Sequence, residues 1–128
     1  MPIDFQKWVH FIHNKVNERL HKPQITRKDA YMKYLILFED THMIALNKPA
    51  GLPAQAGTGH TQSVDRLLTR YTGAPVKLVH RLDKMTSGIL LVAKTRETAA
   101  HLTQQFKTRD ITKTYLAVVQ GALPEGKA

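Results

Sequence analysis

The 128 residues suffice for one hydrophobic core, and 42% hydrophobic with 23% charged residues is a globular composition that argues against wholesale disorder. Nineteen Lys+Arg against ten Asp+Glu leave a net charge of +9, which points to a polyanionic partner, nucleic acid ahead of an acidic membrane surface. Without cysteine there is no disulfide, thiolate metal site or thiol nucleophile, so any chemistry falls to Asp, Glu, His, Ser, Thr, Lys or Tyr.

In chain order, Phe5, Trp8, Val9, Ile12, Val16 and Leu20 recur at three- and four-residue steps, which predicts an amphipathic helix over residues 4–21, with Asp4 as its cap and Pro23 as its stop. Through Tyr34 the chain holds seven Lys/Arg and three acids, so residues 1–33 read as a basic amino-terminal extension and 34–128 as the folded domain. His10 and His13 lie at helical spacing, yet with no third ligand nearby they read as a surface pair and not as a metal site. No apolar stretch approaches the roughly 20 residues that span a bilayer, and the amino terminus lacks a secretory pattern. A cytoplasmic protein is expected, with the mitochondrial matrix as the alternative because the first helix is both basic and amphipathic.

After Lys33 the hydrophobic period shortens. Residues 34–38 and 43–47 read as strands joined by Glu39-Asp40-Thr41-His42, and Lys48-Pro49-Ala50-Gly51 ends the second. Ser63 is placed to cap a short helix over 64–71 with Val64, Leu67, Leu68 and Tyr71 inward. A strand over 77–82, a loop over 83–88 and a strand over 89–93, the last buried on both faces, form a second β unit. Thr95 caps a helix reaching about residue 108, with Ala99, Leu102 and Phe106 as its inner stripe. A last strand over 112–119 sets Tyr115, Ala117 and Val119 on one face and Leu116 and Val118 on the other. The expected class is α+β, a mixed and mainly antiparallel sheet with flanking helices. The chain stops after Pro124-Glu125-Gly126 where a further strand is expected, which leaves a sheet edge open to association.

Reactive side chains are densest in His80-Arg81-Leu82-Asp83-Lys84-Met85-Thr86-Ser87-Gly88. One carboxylate among three potential cations is held ionised, suited to act as a nucleophile or to stabilise positive charge, not as a general acid. Thr86, Ser87 and Gly88 allow a tight turn and offer hydroxyl and amide donors to a phosphate or to the carboxylate itself. A charged loop of this kind is also what a solvated turn looks like, and composition alone favours that plainer interpretation.

This loop, with Ile89-Leu90-Leu91-Val92-Ala93-Lys94 behind it, resembles the active-site signature of RluA-type pseudouridine synthases. The resemblance extends upstream through Ile36-Leu37-Phe38-Glu39-Asp40, Leu46-Asn47-Lys48-Pro49-Ala50-Gly51 and Leu52-Pro53, and downstream through Phe106-Lys107 and Lys113-Thr114-Tyr115-Leu116-Ala117, covering about residues 35–121. It implies isomerisation of uridine in structured RNA, above all large-subunit ribosomal RNA, with no cofactor and no metal. By the family pattern Asp83 is the catalytic carboxylate, and Tyr115 stacks on the uracil and aids deprotonation at C5. Arg81 enters the space left by a flipped nucleotide. His80, Lys48, Lys84, Thr86, Ser87 and Lys113 are the further RNA contacts expected, with Lys107 and Arg109 as additional basic candidates. The family's Gly-Arg-x-His-Gln motif has no counterpart after Tyr115, so the resemblance covers the amino-terminal part of the catalytic domain. A synthase is one expectation; the other is a catalytically inactive RNA-binding or ribosome-associated fragment. A glycosidase with paired carboxylates is set aside, since Asp65 and Asp110 lack a matching context.

Overall fold

The computed structural model describes residues 28–59, 62–122 and 124. The helix expected over 4–21, and the His10/His13 pair on it, lie outside the described residues.

The described chain begins with α1 (Lys28–Leu35), then β1 (Ile36–Glu39) and β2 (Met43–Lys48), α2 (Val64–Thr72), β3 (Lys77–Leu78), β4 (Gly88–Ala93) and α3 (Arg96–Lys107). The four strands form one sheet in the order β1-β2-β4-β3, and every pairing is antiparallel. The β1–β2 turn forms as expected, because the Asp40 carboxylate accepts the His42 and Met43 amides at 2.7 and 2.8 Å. β2 and β4 are the central strands, in register from Met43↔Ala93 to Lys48↔Gly88.

Side-chain alternation along these strands feeds two cores, one on each face of the sheet. Ile44, Leu46, Leu90 and Val92 join Met32, Leu35, Val64 and Leu68 under α1 and α2, while Met43, Ala45 and Leu91 join Leu37 and Leu102 under α3. The sheet is therefore the middle of three layers. The boundary expected between residues 33 and 34 falls inside α1, whose Met32 and Leu35 belong to the same core as β2 and β4.

Several sequence expectations change. The strand expected at 34 starts only at Ile36: Tyr34 lies exposed in the last turn of α1, which runs to Leu35 and carries Met32 and Leu35 into the core. Ser63 holds the N-cap position of α2 but makes no side-chain cap. Its hydroxyl donates to Asp65, and the Asp65 carboxylate takes the Arg66 amide at 2.8 Å and the Ala56 amide at 3.1 Å, so a charged acceptor displaces the neutral one. The 77–82 strand shrinks to two residues. Ile89 is half exposed, so β4 is buried on both faces only from Leu90 onward. Thr95 does cap α3, accepting the Thr98 amide at 3.2 Å. Residues 112–119 form no strand: they are exposed, Leu116 and Val118 fully so at 101% and 105%, and no neighbouring strand among the described residues offers them a ladder.

Candidate active site

The loop carrying Asp83 leaves the sheet after β3 and returns at Gly88, and its conformation is set by groups outside it. Lys48, at the end of β2, has 0% exposure. Its ammonium donates to the carbonyls of Pro49 at 3.0 Å, Leu52 at 2.8 Å and Lys84 at 3.0 Å. The Lys84 carbonyl also accepts the Gly51 amide at 2.8 Å, so the residue following Asp83 is tied twice to the 48–52 segment. Within the loop the Thr86 amide donates to the Asp83 carbonyl at 3.0 Å, closing a turn. Gly88 then returns the chain to β4 with φ +133°, a conformation that L side chains rarely adopt.

Lys48, one of the RNA contacts expected, is buried with its ammonium on three backbone carbonyls. Alternation from Ile44 and Leu46 puts position 48 inward, so the parity of β2 carried the signal. Desolvation lowers the Lys48 pKa from its ordinary value, and the charge of Asp83 acts the other way, so the two groups lie within electrostatic reach.

His80 is also turned inward. Its Nε2 accepts the Leu91 amide at 2.9 Å, which makes the ring the neutral Nδ1–H tautomer, and the ring stacks on Phe106 with centroids 4.3 Å apart at 23°. Burial, reinforced by the Lys113 charge, pushes its pKa down to about 4. His80, another of the RNA contacts expected, thus stands as a neutral imidazole hydrogen-bonded to β4. Neither Phe106 nor the Leu91 amide stood out in the sequence as part of the site.

Arg81, Asp83, Lys84 and Ser87 are exposed and Thr86 is half-buried. Arg81 forms no ion pair with Asp83 or Asp110 among the described residues, which leaves its guanidinium open to a ligand. Lys113 lies 6.0 Å from the Phe106 centroid. Tyr115, at 56% exposure, makes no hydrogen bond or ring contact to Asp83 among the described residues. Thus the structure joins His80, Lys113 and Phe106, and joins Lys48 to the Asp83 loop, while Tyr115 stands apart on its extended segment. No group of three His, Asp or Glu among the described residues could hold a metal ion, and no described helix is long and apolar enough to cross a membrane.

Residues 42–128 match the family model described as RNA pseudouridylate synthase. The chain belongs to that family. Among the synthases most similar to it, "Ribosomal large subunit pseudouridine synthase C" of Rickettsia bellii is 42% identical over 121 residues, which are 87% of this chain and 40% of the relative. The protein of the same name from Vibrio cholerae is 40% identical over 111 residues, 84% of this chain and 35% of the relative. A solved structure, "Human RNA Pseudouridylate Synthase Domain Containing 4", is 28% identical and superposes with a TM-score of 0.54, over 65% of this chain and 34% of the human one. The chain thus spans 40% or less of the length of these two curated synthases. The pseudouridine synthase fold accounts for the antiparallel sheet and its flanking helices.

Proposed function

We propose that this chain isomerises uridine to pseudouridine in structured RNA, with large-subunit ribosomal RNA as the substrate. The observation that carries the proposal is the Asp83 loop, in which an exposed carboxylate stands on a backbone fastened at its next residue by Lys48 and Gly51. A charged group fixed in this way supplies preorganised stabilisation where a sugar gains cationic character. The names of the relatives support the choice of ribosomal RNA.

In this reaction the N1–C1′ bond breaks, the uracil turns, and C5 bonds to C1′. Asp83 acts on the sugar, either by adding to C1′ or by taking a sugar proton to give a glycal; both roles use the ionised carboxylate. Arg81, exposed and without an ion pair among the described residues, fills the space vacated when the nucleotide leaves its stack, a step that costs a few kcal/mol. Tyr115 stacks on the uracil and assists the loss of the C5 proton. Lys84, Thr86, Ser87 and Lys113 contact the RNA backbone. The exposure of Tyr115, without contact to Asp83, favours a second reading in which the chain binds RNA and does not turn it over.

Release of tritium from C5-labelled ribosomal RNA transcripts separates the two. Release by the native chain and none by Asp83→Asn, with RNA affinity retained, is the expected result. RNA binding without release from either protein would give the binding reading precedence, and release from Asp83→Asn would remove Asp83 from the chemistry.

A further inference from the structure

The ladder between β3 and β4 ends at Leu78↔Val92, so the next amide of β4, that of Leu91, has no strand carbonyl to meet on that side. The His80 ring takes that place at 2.9 Å. The chain can therefore leave the sheet toward Asp83 without orphaning a backbone donor. The same ring stacks on Phe106 in the last turn of α3, and the ammonium of Lys113 lies 6.0 Å from the Phe106 centroid. His80 stands three residues before Asp83, with Leu82 buried between them; Lys113 stands two residues before Tyr115, just after the buried Ile111. One aromatic ring therefore touches the approach to both residues assigned to the chemistry.

Resting on the assignment of Asp83 and Tyr115 to the reaction, we infer that His80 and Lys113 meet on Phe106 to form a clamp that sets the distance between the Asp83 loop and the Tyr115 segment. His80 and Phe106 are positioning residues in this scheme and touch no substrate atom, while Lys113 positions the 112–119 segment in addition to its contact with the RNA backbone. The neutral state of the imidazole suits the arrangement, since a second cation beside Lys113 would repel it. The clamp is needed because the 112–119 segment has no ladder among the described residues, and the Lys113–Phe106 contact tethers it.

Because the chain has no cysteine, Thr114→Cys carrying a nitroxide labels one position next to Tyr115. In the full chain the label is expected to broaden the amide resonances of residues 83–88. That broadening should fall in Phe106→Leu and Lys113→Met and return in Phe106→Tyr. Equal broadening in all of these proteins, or none in the parent, would overturn the clamp. In tritium release, Phe106→Leu should lower kcat roughly tenfold to a hundredfold, since small misplacements of reacting groups carry losses of that order, with KM unchanged and Phe106→Tyr restoring the rate. A change confined to KM would also overturn it. If Asp83→Asn still releases tritium the catalytic assignment fails, while the label experiment continues to judge the clamp.

Discussion

A lysine ammonium shut off from water is costly unless its protons are taken, and Lys48 meets that condition with three carbonyl oxygens at 2.8 to 3.0 Å. Lys48→Met would keep much of the volume but leave the Pro49 and Leu52 carbonyls without this partner, whereas that of Lys84 retains the Gly51 amide. A loss of about 2–3 kcal/mol in urea unfolding is expected, in the range for hydrogen bonds to a charged group; an unchanged midpoint would mean that water replaces the ammonium. His80 makes the opposite kind of contribution, because it is stabilising only while neutral. Its folded pKa of about 4 lies below the ordinary 6.5, so the unfolded chain binds the proton more readily. The stabilisation is complete above about pH 6.5 and is lost as the pH falls toward 4. The unfolding midpoint of the native chain should therefore drop more steeply than that of His80→Gln across this window, and parallel curves would show that His80 protonates freely in the folded state.

At the scale of elements, the end of α3 departs from what its geometry prefers. The Arg109 amide donates to the Phe106 carbonyl and the Asp110 amide to that of Gln105, the paired bonds of a Schellman turn, whose left-handed position is most often glycine. Here that position is Arg109, at φ 59°. Arg109→Gly should stabilise the chain by about 1 kcal/mol by removing the left-handed penalty and should weaken RNA binding, a combination that marks a residue kept for its charge. A lower thermal midpoint in the glycine variant would show instead that the side chain holds the turn. Elements governed by local signals were legible in the sequence: the Asp40 turn, the alternation of β2, and the Thr95 cap with α3 behind it. Those decided by distant partners were not. Nothing local told that Tyr34 would lie in the last turn of a helix packed on α2, or that residues 112–119 would meet no strand among the described residues. The site divides in the same way. Its motif residues were named from the sequence and the parity of β2 marks Lys48 as inward, but the groups that hold Lys48 and His80, namely the Lys84 carbonyl, the Leu91 amide and the Phe106 ring, lie 11 to 36 residues away along the chain.

Over the whole molecule, the three-layer arrangement leaves the β3–β4 connection at an end of the sheet, where Arg81, Asp83, Lys84 and Ser87 face solvent and the two cores lie behind them. The positive charge of the chain acts at this scale, because attraction to a phosphate backbone depends on the summed charge as much as on any one contact. Burial of Lys48 removes one cation from the surface set and leaves Arg81, Lys84, Lys107, Arg109 and Lys113 as its exposed members around the loop and the end of α3. Neutralising about five phosphates of a single strand releases their counterions, so RNA affinity should fall about a hundredfold between 50 and 200 mM monovalent salt. Removing one of the five cations, as in Lys107→Met, should shallow the log–log slope by somewhat less than one while leaving the thermal midpoint near that of the parent, because the side chain is exposed. Filter binding or fluorescence anisotropy across a salt series measures the slope directly. A flat titration would mean that affinity comes from stacking and hydrogen bonding to bases, and a slope unchanged in Lys107→Met would place the RNA away from the end of α3.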